Sequence, residues 1–200
     1  MDIKIATQIF LEIRDILDQA EVKFWVVDGT ALGIVRDGGF ILWDADMDMR
    51  VMATEWDFPV MFEKFKDKGF RCKKSINPKL YGDKPSGSVF YKQGIRVDMC
   101  MGYYYPPEDL IVVLANHPTS GITVLPASFF RGEYFVEFLG VKVRVPNPPE
   151  SYFDLHYGKN WRIPTRVKRW SGNVPISITK YVKYFNEYPQ INQKKVGSNV

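Results

Sequence analysis

Asp44, Asp46 and Asp48 alternate in the segment ILWDADMDMRV, and Arg50 follows two residues on. Residues two apart on an extended strand point to one side. The three aspartates and Arg50 therefore share a face, while Ala45, Met47, Met49 and Val51 share the other. The apolar face suits a core. The acidic face does not, because unpaired carboxylates are costly to bury, so it is either open to water or neutralised by a bound cation. A second segment, IRVDMC, repeats the pattern, with Ile95, Val97 and Met99 on one side and Arg96, Asp98 and Cys100 on the other. Asp-x-Asp joined by a distant strand aspartate supplies hard oxygen ligands. Mg²⁺, with Mn²⁺ as its substitute, takes such ligands and keeps positions for water and substrate phosphates; two such ions activate a hydroxyl and stabilise a departing phosphate oxygen. A solvated strand edge with Asp48 paired to Arg50 explains Asp-x-Asp alone equally well. It explains less once Asp98 and an upstream Gly-Thr turn are added.

That turn is Gly29-Thr30, at the end of KFWVVDGT. Glycine lets a backbone approach a ligand closely, and N–H groups opening a helix bind phosphate. The Thr30 hydroxyl adds a donor.

These groups need a scaffold, and hydrophobic periodicity supplies its outline. Ala6, Ile9, Phe10, Ile13, Ile16 and Leu17 repeat at helical spacing over residues 3–20. KFWVV reads as a strand, 31–35 as a short helix closed by Asp37-Gly38-Gly39, and FILWDADMDMRVM as a second strand alternating from Asp44 onward. Thr54 and Asp57 resemble a capping box before a helix that stops at Gly69. SVFYKQGIRVDMC and EYFVEFLGVKVRVP read as hairpins turning at Gln93-Gly94 and Leu139-Gly140. Pro148-Pro149 start a helix that ends at Gly158. The fold class is α/β in the broad sense, an α+β mixed sheet with flanking helices: one domain over 1–170, then a C-terminal segment, 171–200, with a frayed tail.

The 200 residues suit one ordinary domain, with 46% hydrophobic and 25% charged residues. A net charge of +4 favours anionic partners in general, but Lys and Arg are scattered rather than clustered, which makes nucleic acid an unlikely partner. Cys72 and Cys100 make no C-x-x-C pair, so neither a disulfide framework nor a zinc finger is expected. No signal peptide and no apolar run of bilayer-spanning length is found, and a cytoplasmic location is the expectation. P-loop, nucleophile-elbow and zincin motifs are missing from the sequence.

The order Gly-Thr, Asp-x-Asp, then a later strand aspartate resembles the nucleotidyltransferase superfamily, the DNA polymerase β-like palm. More closely, DGTALGIVRDGGFILWDADMDMRV resembles the LicD/fukutin signature, and LPASFFRGEYFVEFLGVKVRVPNPPESYFDLHYGKNWRIP resembles that family's distal pattern. The likeness covers roughly Phe24 to Pro164. It implies that the 1–170 domain is catalytic, a metal-dependent transferase that moves phosphocholine or a polyol phosphate from a CDP-activated donor to a glycan-type acceptor. It also implies that Gly29 and Thr30 hold donor phosphate, that Arg36 lies near the phosphates, that Asp46, Asp48 and Asp98 bind Mg²⁺, and that Asp44 orients. A leucine stands before Trp43 where proline is frequent, and neither the preceding membrane anchor nor the cysteine-rich insert of larger members is expected.

Lesser candidates are Arg96 and His156 at the substrate; otherwise His156 is a helix C-terminal residue favoured by the dipole. His117 reads as a surface loop residue. Tyr103, Tyr104 and Tyr105 are weighed as a base-binding mouth against one buried and two rim rings, and Lys79, Lys84 and Lys92 as a phosphate-closing loop against a solvated one. Two rival functions remain: a nucleotidyltransferase moving an NMP from an NTP to a small molecule, RNA or protein, and a non-catalytic nucleotide- or glycan-binding module.

Overall fold

The computed structural model describes residues 1–114, 122–166 and 178–192. His117 and the terminal tail lie outside these described residues. Asp2 opens the first helix, α1 (Ile3–Gln19), by accepting from the Lys4 and Ile5 amides at 3.0 and 3.1 Å. Its buried residues are Ala6, Ile9, Phe10, Ile13, Ile16 and Leu17, the predicted stripe.

The chain then enters β1 (Phe24–Val26), turns into α2 (Asp28–Asp37), and returns as β2 (Asp46–Met52) antiparallel to β1. Gly38, at φ +70°, ends α2 in the left-handed conformation. The strand begins at Asp46, six residues later than the expected span from Phe40 and one alternation after Asp44. Asp44 sits in the preceding turn, its amide donating to Ile41 O at 3.0 Å. The cap of α3 (Phe58–Asp67) is Asp57 itself, accepting from the Val60 amide at 3.2 Å, while Thr54 lies in a short 3₁₀ turn. The sequence pattern placed the cap one turn too early.

After α3 come β3 (Arg71–Ile76), the one-turn α4 (Pro78–Tyr81), β4 (Pro85–Lys92) and β5 (Ile95–Tyr105). The chain continues through β6 (Leu110–Leu114), β7 (Ile122–Pro126), the hairpin β8 (Phe135–Phe138) and β9 (Val141–Arg144), α5 (Pro149–Tyr157) and α6 (Ile178–Glu187). Among the described residues seven strands form one sheet in the order β1-β2-β5-β4-β3, with β6 on β5 and β7 on β6. The β2–β5 pair is parallel and the other pairs are antiparallel.

One sheet face carries Met47, Met49, Val97 and Met99, all with no exposed surface. Phe65 of α3 stacks on Phe90 of β4 at 3.9 Å between ring centres, and Phe10 of α1 meets Phe40 and Phe138 edge-on. Such burial of large side chains contributes about 1.5–3 kcal/mol each relative to exposure. The opposite face of β2 and β5 is left for polar groups. Tyr103 and Tyr105 are buried, with Tyr103 against Phe185 and Tyr105 against Tyr181 of α6, so the tyrosine run anchors the C-terminal helix. Tyr104 is half-buried and donates to Asp109 at 3.0 Å. Lys92 is tied to Glu12 at 2.7 Å, away from any phosphate loop.

Candidate active site

The parallel register sets Asp46 beside Arg96, Asp48 beside Asp98 and Arg50 beside Cys100. Side chains on these paired positions project from the same face, so two sequence segments fifty residues apart become one polar surface. Three hydrogen bonds fix the Gly-Thr turn against it. Val27 donates its amide to Asp48 O at 3.1 Å, and Gly29 donates its amide to Asp48 Oδ2 at 3.2 Å. Asp48 in turn donates its amide to Thr30 Oγ1 at 2.8 Å. Thr30 is buried and braces the strand through that bond.

One carboxylate oxygen from each of Asp44, Asp46 and Asp48 lies within 4.8 Å of the other two. Asp44 thus joins the group through its turn rather than through strand alternation. A Cβ on Gly29 would stand 2.4 Å from Asp44 Oδ2 and 3.4 Å from Asp48 Oδ2, so a larger residue there would force the Asp44 carboxylate to move. Burial, with the neighbouring charges of Asp28, Asp46, Asp44 and Asp98, pushes the Asp48 carboxyl well above the usual range. A hard divalent cation would reverse that penalty. The donor set, all carboxylate oxygen, fits Mg²⁺ or Mn²⁺.

Asp98 is placed beside this group but engaged elsewhere. Arg96 donates Nε to its Oδ1 at 2.8 Å and Nη2 to its Oδ2 at 2.7 Å, a bidentate pair. Burial raises the Asp98 carboxyl, and Arg96 opposes the rise. Arg36 donates to Asp37 and, from Nη1, to Trp161 O at 3.3 Å. That last bond fastens the end of α2 to the loop after α5.

A cleft of about 1120 Å³ opens over the carboxylates. Gly29, Asp44, Asp46, Asp48, Asp98 and Arg50 line its floor, while Arg36, Trp43, Arg96, Trp161 and Arg166 line its sides. The exposed Trp43 indole has the Arg166 guanidinium 5.6 Å from its ring centre.

His156 lies elsewhere. It is 1% exposed, with Nε2 3.2 Å from Asp28 Oδ1, and the described cleft lining does not include it. α5 packs that face inward behind the turn, so its side chain meets the scaffold rather than the substrate space. Burial pushes its imidazole down, Asp28 pulls the other way, and Arg50 adds to the fall; the ring is neutral near pH 7. Asp28 and Arg50 line the cleft, with Tyr152 buried behind them, and the sequence pattern named none of the three as a candidate site residue. Arg50 is 1% exposed, donates Nη2 to Asp28 at 3.3 Å, and packs 5.4 Å from the Phe130 ring centre. A positively signed φ at a buried non-glycine, +47° at Asp28, is a signal visible only in the fold.

Residues 21–148 match the family profile described as LicD/FKTN/FKRP, nucleotidyltransferase domain. The chain is 26% identical over 157 residues to ribitol-5-phosphate transferase FKTN of Mus musculus, covering 77% of this chain and 32% of that protein. The Homo sapiens protein of the same name is 25% identical over 162 residues, covering 80% and 33%. This chain therefore spans about a third of the length of these curated relatives. An uncharacterized protein of Rickettsia typhi is 34% identical over 67 residues, covering 33% of this chain and 22% of that one. In fold, the solution structure of the antibiotic-resistance factor ANT(2'')-Ia aligns with a TM-score of 0.52 at 13% identity, covering 94% of this chain and 87% of that one. With the carboxylate strand, the Gly-Thr turn and the mixed sheet in place, the chain belongs to the LicD/FKTN/FKRP nucleotidyltransferase-domain family.

Proposed function

We propose that this domain is a transferase that moves a phosphoalcohol, phosphocholine or a polyol phosphate, from a CDP-activated donor to a hydroxyl of a glycan-type acceptor. The supporting observation is the group of three carboxylates on the floor of a cleft whose sides carry guanidinium groups. Relatives named for ribitol-5-phosphate transfer support the choice of a phosphoalcohol.

Asp44, Asp46 and Asp48 would hold Mg²⁺ or Mn²⁺, which when bound neutralises charge on the donor pyrophosphate. Gly29 leaves the room that those carboxylates need. Arg36 and Arg96 face the same space as planar cations suited to phosphate oxygens. Arg96 has one bidentate partner at a time: with Asp98 it is an ion pair, and with a phosphate it releases Asp98. The freed carboxyl, raised by burial, is suited to take the acceptor hydroxyl proton as the oxygen attacks phosphorus. Positioning and electrostatic stabilisation then carry the displacement. Thr30 holds the turn through Asp48, so its bearing on phosphate is to aim the Gly29 region at it. His156, buried behind Asp28, supports that turn from the far side.

The test is a donor screen with Mg²⁺, using CDP-choline, CDP-ribitol, CDP-glycerol and the four NTPs with glycan acceptors. CMP release that disappears in Asp48→Asn is the expected result. Pyrophosphate release from an NTP would replace this reaction with nucleotidyl transfer. Failure of every donor to bind would leave a non-catalytic module.

A further inference from the structure

We infer that Tyr152 is a positioning residue for the carboxylate group, acting through the backbone of Asp28. The inference rests on the cation site proposed above, though not on which donor is used. Asp28 stands in the middle of the clamp that Val27, Gly29 and Thr30 make with Asp48. To make it, the chain must reverse direction between an extended Val27 (φ −135°, ψ −179°) and the helix, which forces Asp28 to φ +47°. Glycine would accept that conformation freely, and an aspartate there is strained unless its surroundings hold it.

They do hold it, by the side chain. Asp28 is 4% exposed and its carboxylate gathers the Tyr152 hydroxyl, Arg50 Nη2 at 3.3 Å and His156 Nε2 at 3.2 Å. Tyr152 and His156 sit one turn apart on α5 with rings stacked, at 5.3 Å between centres. Tyr152 has no exposed surface. Among the described residues the buried Arg50 Nε and Nη1 have no hydrogen-bond partner, so Asp28 is the carboxylate that compensates this guanidinium.

The peptide after Asp28 carries the Gly29 N–H, and its direction follows the Asp28 backbone angles. That N–H occupies Asp48 Oδ2 and so orients the carboxyl within the group of three. The route therefore runs from the Tyr152 hydroxyl to the Asp28 carboxylate, to the Gly29 amide, to Asp48. Tyr152 touches no cleft surface among the described lining residues, yet it is placed to set the orientation of a cation ligand. Partners one shell beyond the ligands commonly change metal affinity by about 10–100-fold.

The experiment measures Mn²⁺ binding to the full chain by electron paramagnetic resonance, beside thermal melts in chelator. The variants are Tyr152→Phe, which removes the hydroxyl alone, His156→Gln, and Phe153→Leu, a buried neighbour on α5 whose ring packs on Trp161 and on the Tyr152 ring but offers no hydrogen bond to Asp28. Tyr152→Phe is expected to weaken Mn²⁺ binding by about tenfold or more and to lower kcat with little change in donor KM. Phe153→Leu should lose at least as much thermal stability while binding Mn²⁺ like the unsubstituted chain. Equal affinity in Tyr152→Phe and the unsubstituted chain overturns the inference. So does an affinity loss that follows melting temperature across all three variants. Mn²⁺ binding without turnover of any donor would overturn the proposed reaction and leave this positioning role standing, whereas an unsubstituted chain that binds no Mn²⁺ overturns both.

Discussion

Asp48 and Asp98 are direct partners across the parallel β2–β5 ladder, two carboxylates side by side from strands fifty residues apart. Arg96, from the same strand as Asp98, holds it in a bidentate ion pair. The arrangement keeps one carboxylate neutralised until something else claims the guanidinium. Replacing Arg96 with methionine should therefore add Asp98 to the cation-binding group and tighten Mn²⁺ binding by about tenfold, near 1.4 kcal/mol. Donor affinity should fall in the same variant, because the cation for phosphate is gone. Titration of Mn²⁺ and of a CDP donor separates the two effects.

Asp48→Asn should abolish transfer and remove the stabilisation that Mg²⁺ confers in a thermal melt. In chelator the same variant should melt higher than the unsubstituted chain, because a carboxyl penalised first by burial and then by four neighbouring carboxylates has been replaced by a neutral group. A lower melting temperature in chelator would show that the clamp to Gly29 outweighs the repulsion.

Gly29→Ala and Gly33→Ala should fail differently. The first puts a methyl 2.4 Å from Asp44 Oδ2, a side-chain atom in a turn, so cation binding should fall sharply with a small change in stability. The second meets the Gly39 carbonyl oxygen at 2.5 Å, a backbone atom, and should cost about 1–3 kcal/mol as overpacking does. Parallel melts and Mn²⁺ titrations of the two variants test the contrast.

The buried cluster behind the turn predicts an acid-side loss of stability in two stages. His156 is held below its ordinary 6.5 by burial, so the unfolded chain binds the proton more readily. Its contribution is fully present above about pH 6.5 and is lost as pH falls toward the folded value. Burial opposes the Asp28 charge, but His156, Arg50 and Tyr152 outweigh it and hold the carboxyl below 3.8. Its contribution is present above that value and is lost below it. Urea melts from pH 7 to pH 3 should show the first stage disappear in His156→Gln and the second shrink, because His156 is the largest of the influences that hold Asp28 down while Arg50 and Tyr152 stay in place.

The sequence alone determined what local periodicity and residue chemistry can carry. The α1 stripe of six apolar residues, the helix stop at Gly38 and the core side of Met47, Met49, Val97 and Met99 follow from spacing of 3.6 and 2. So does the polar side of Asp46, Asp48 and Asp98, since burying that row would be too costly. The strands β3, β6 and β7 were not legible; β3 is rich in exposed Lys and Arg, and β6 is a short apolar run that periodicity cannot assign.

Tertiary structure decided how the carboxylates are shared out. Asp44 joins the carboxylate group because a turn, not a strand, delivers it, and Asp98 is held in an ion pair because Arg96 lies within reach two residues away on the same strand. Asp28, Arg50 and the α5 pair Tyr152 and His156 come together from three separate stretches of chain. No spacing rule links positions more than a hundred residues apart. Their pairing follows from α5 packing behind the turn, where a buried carboxylate and a buried guanidinium must each find a partner or pay the full cost of leaving water.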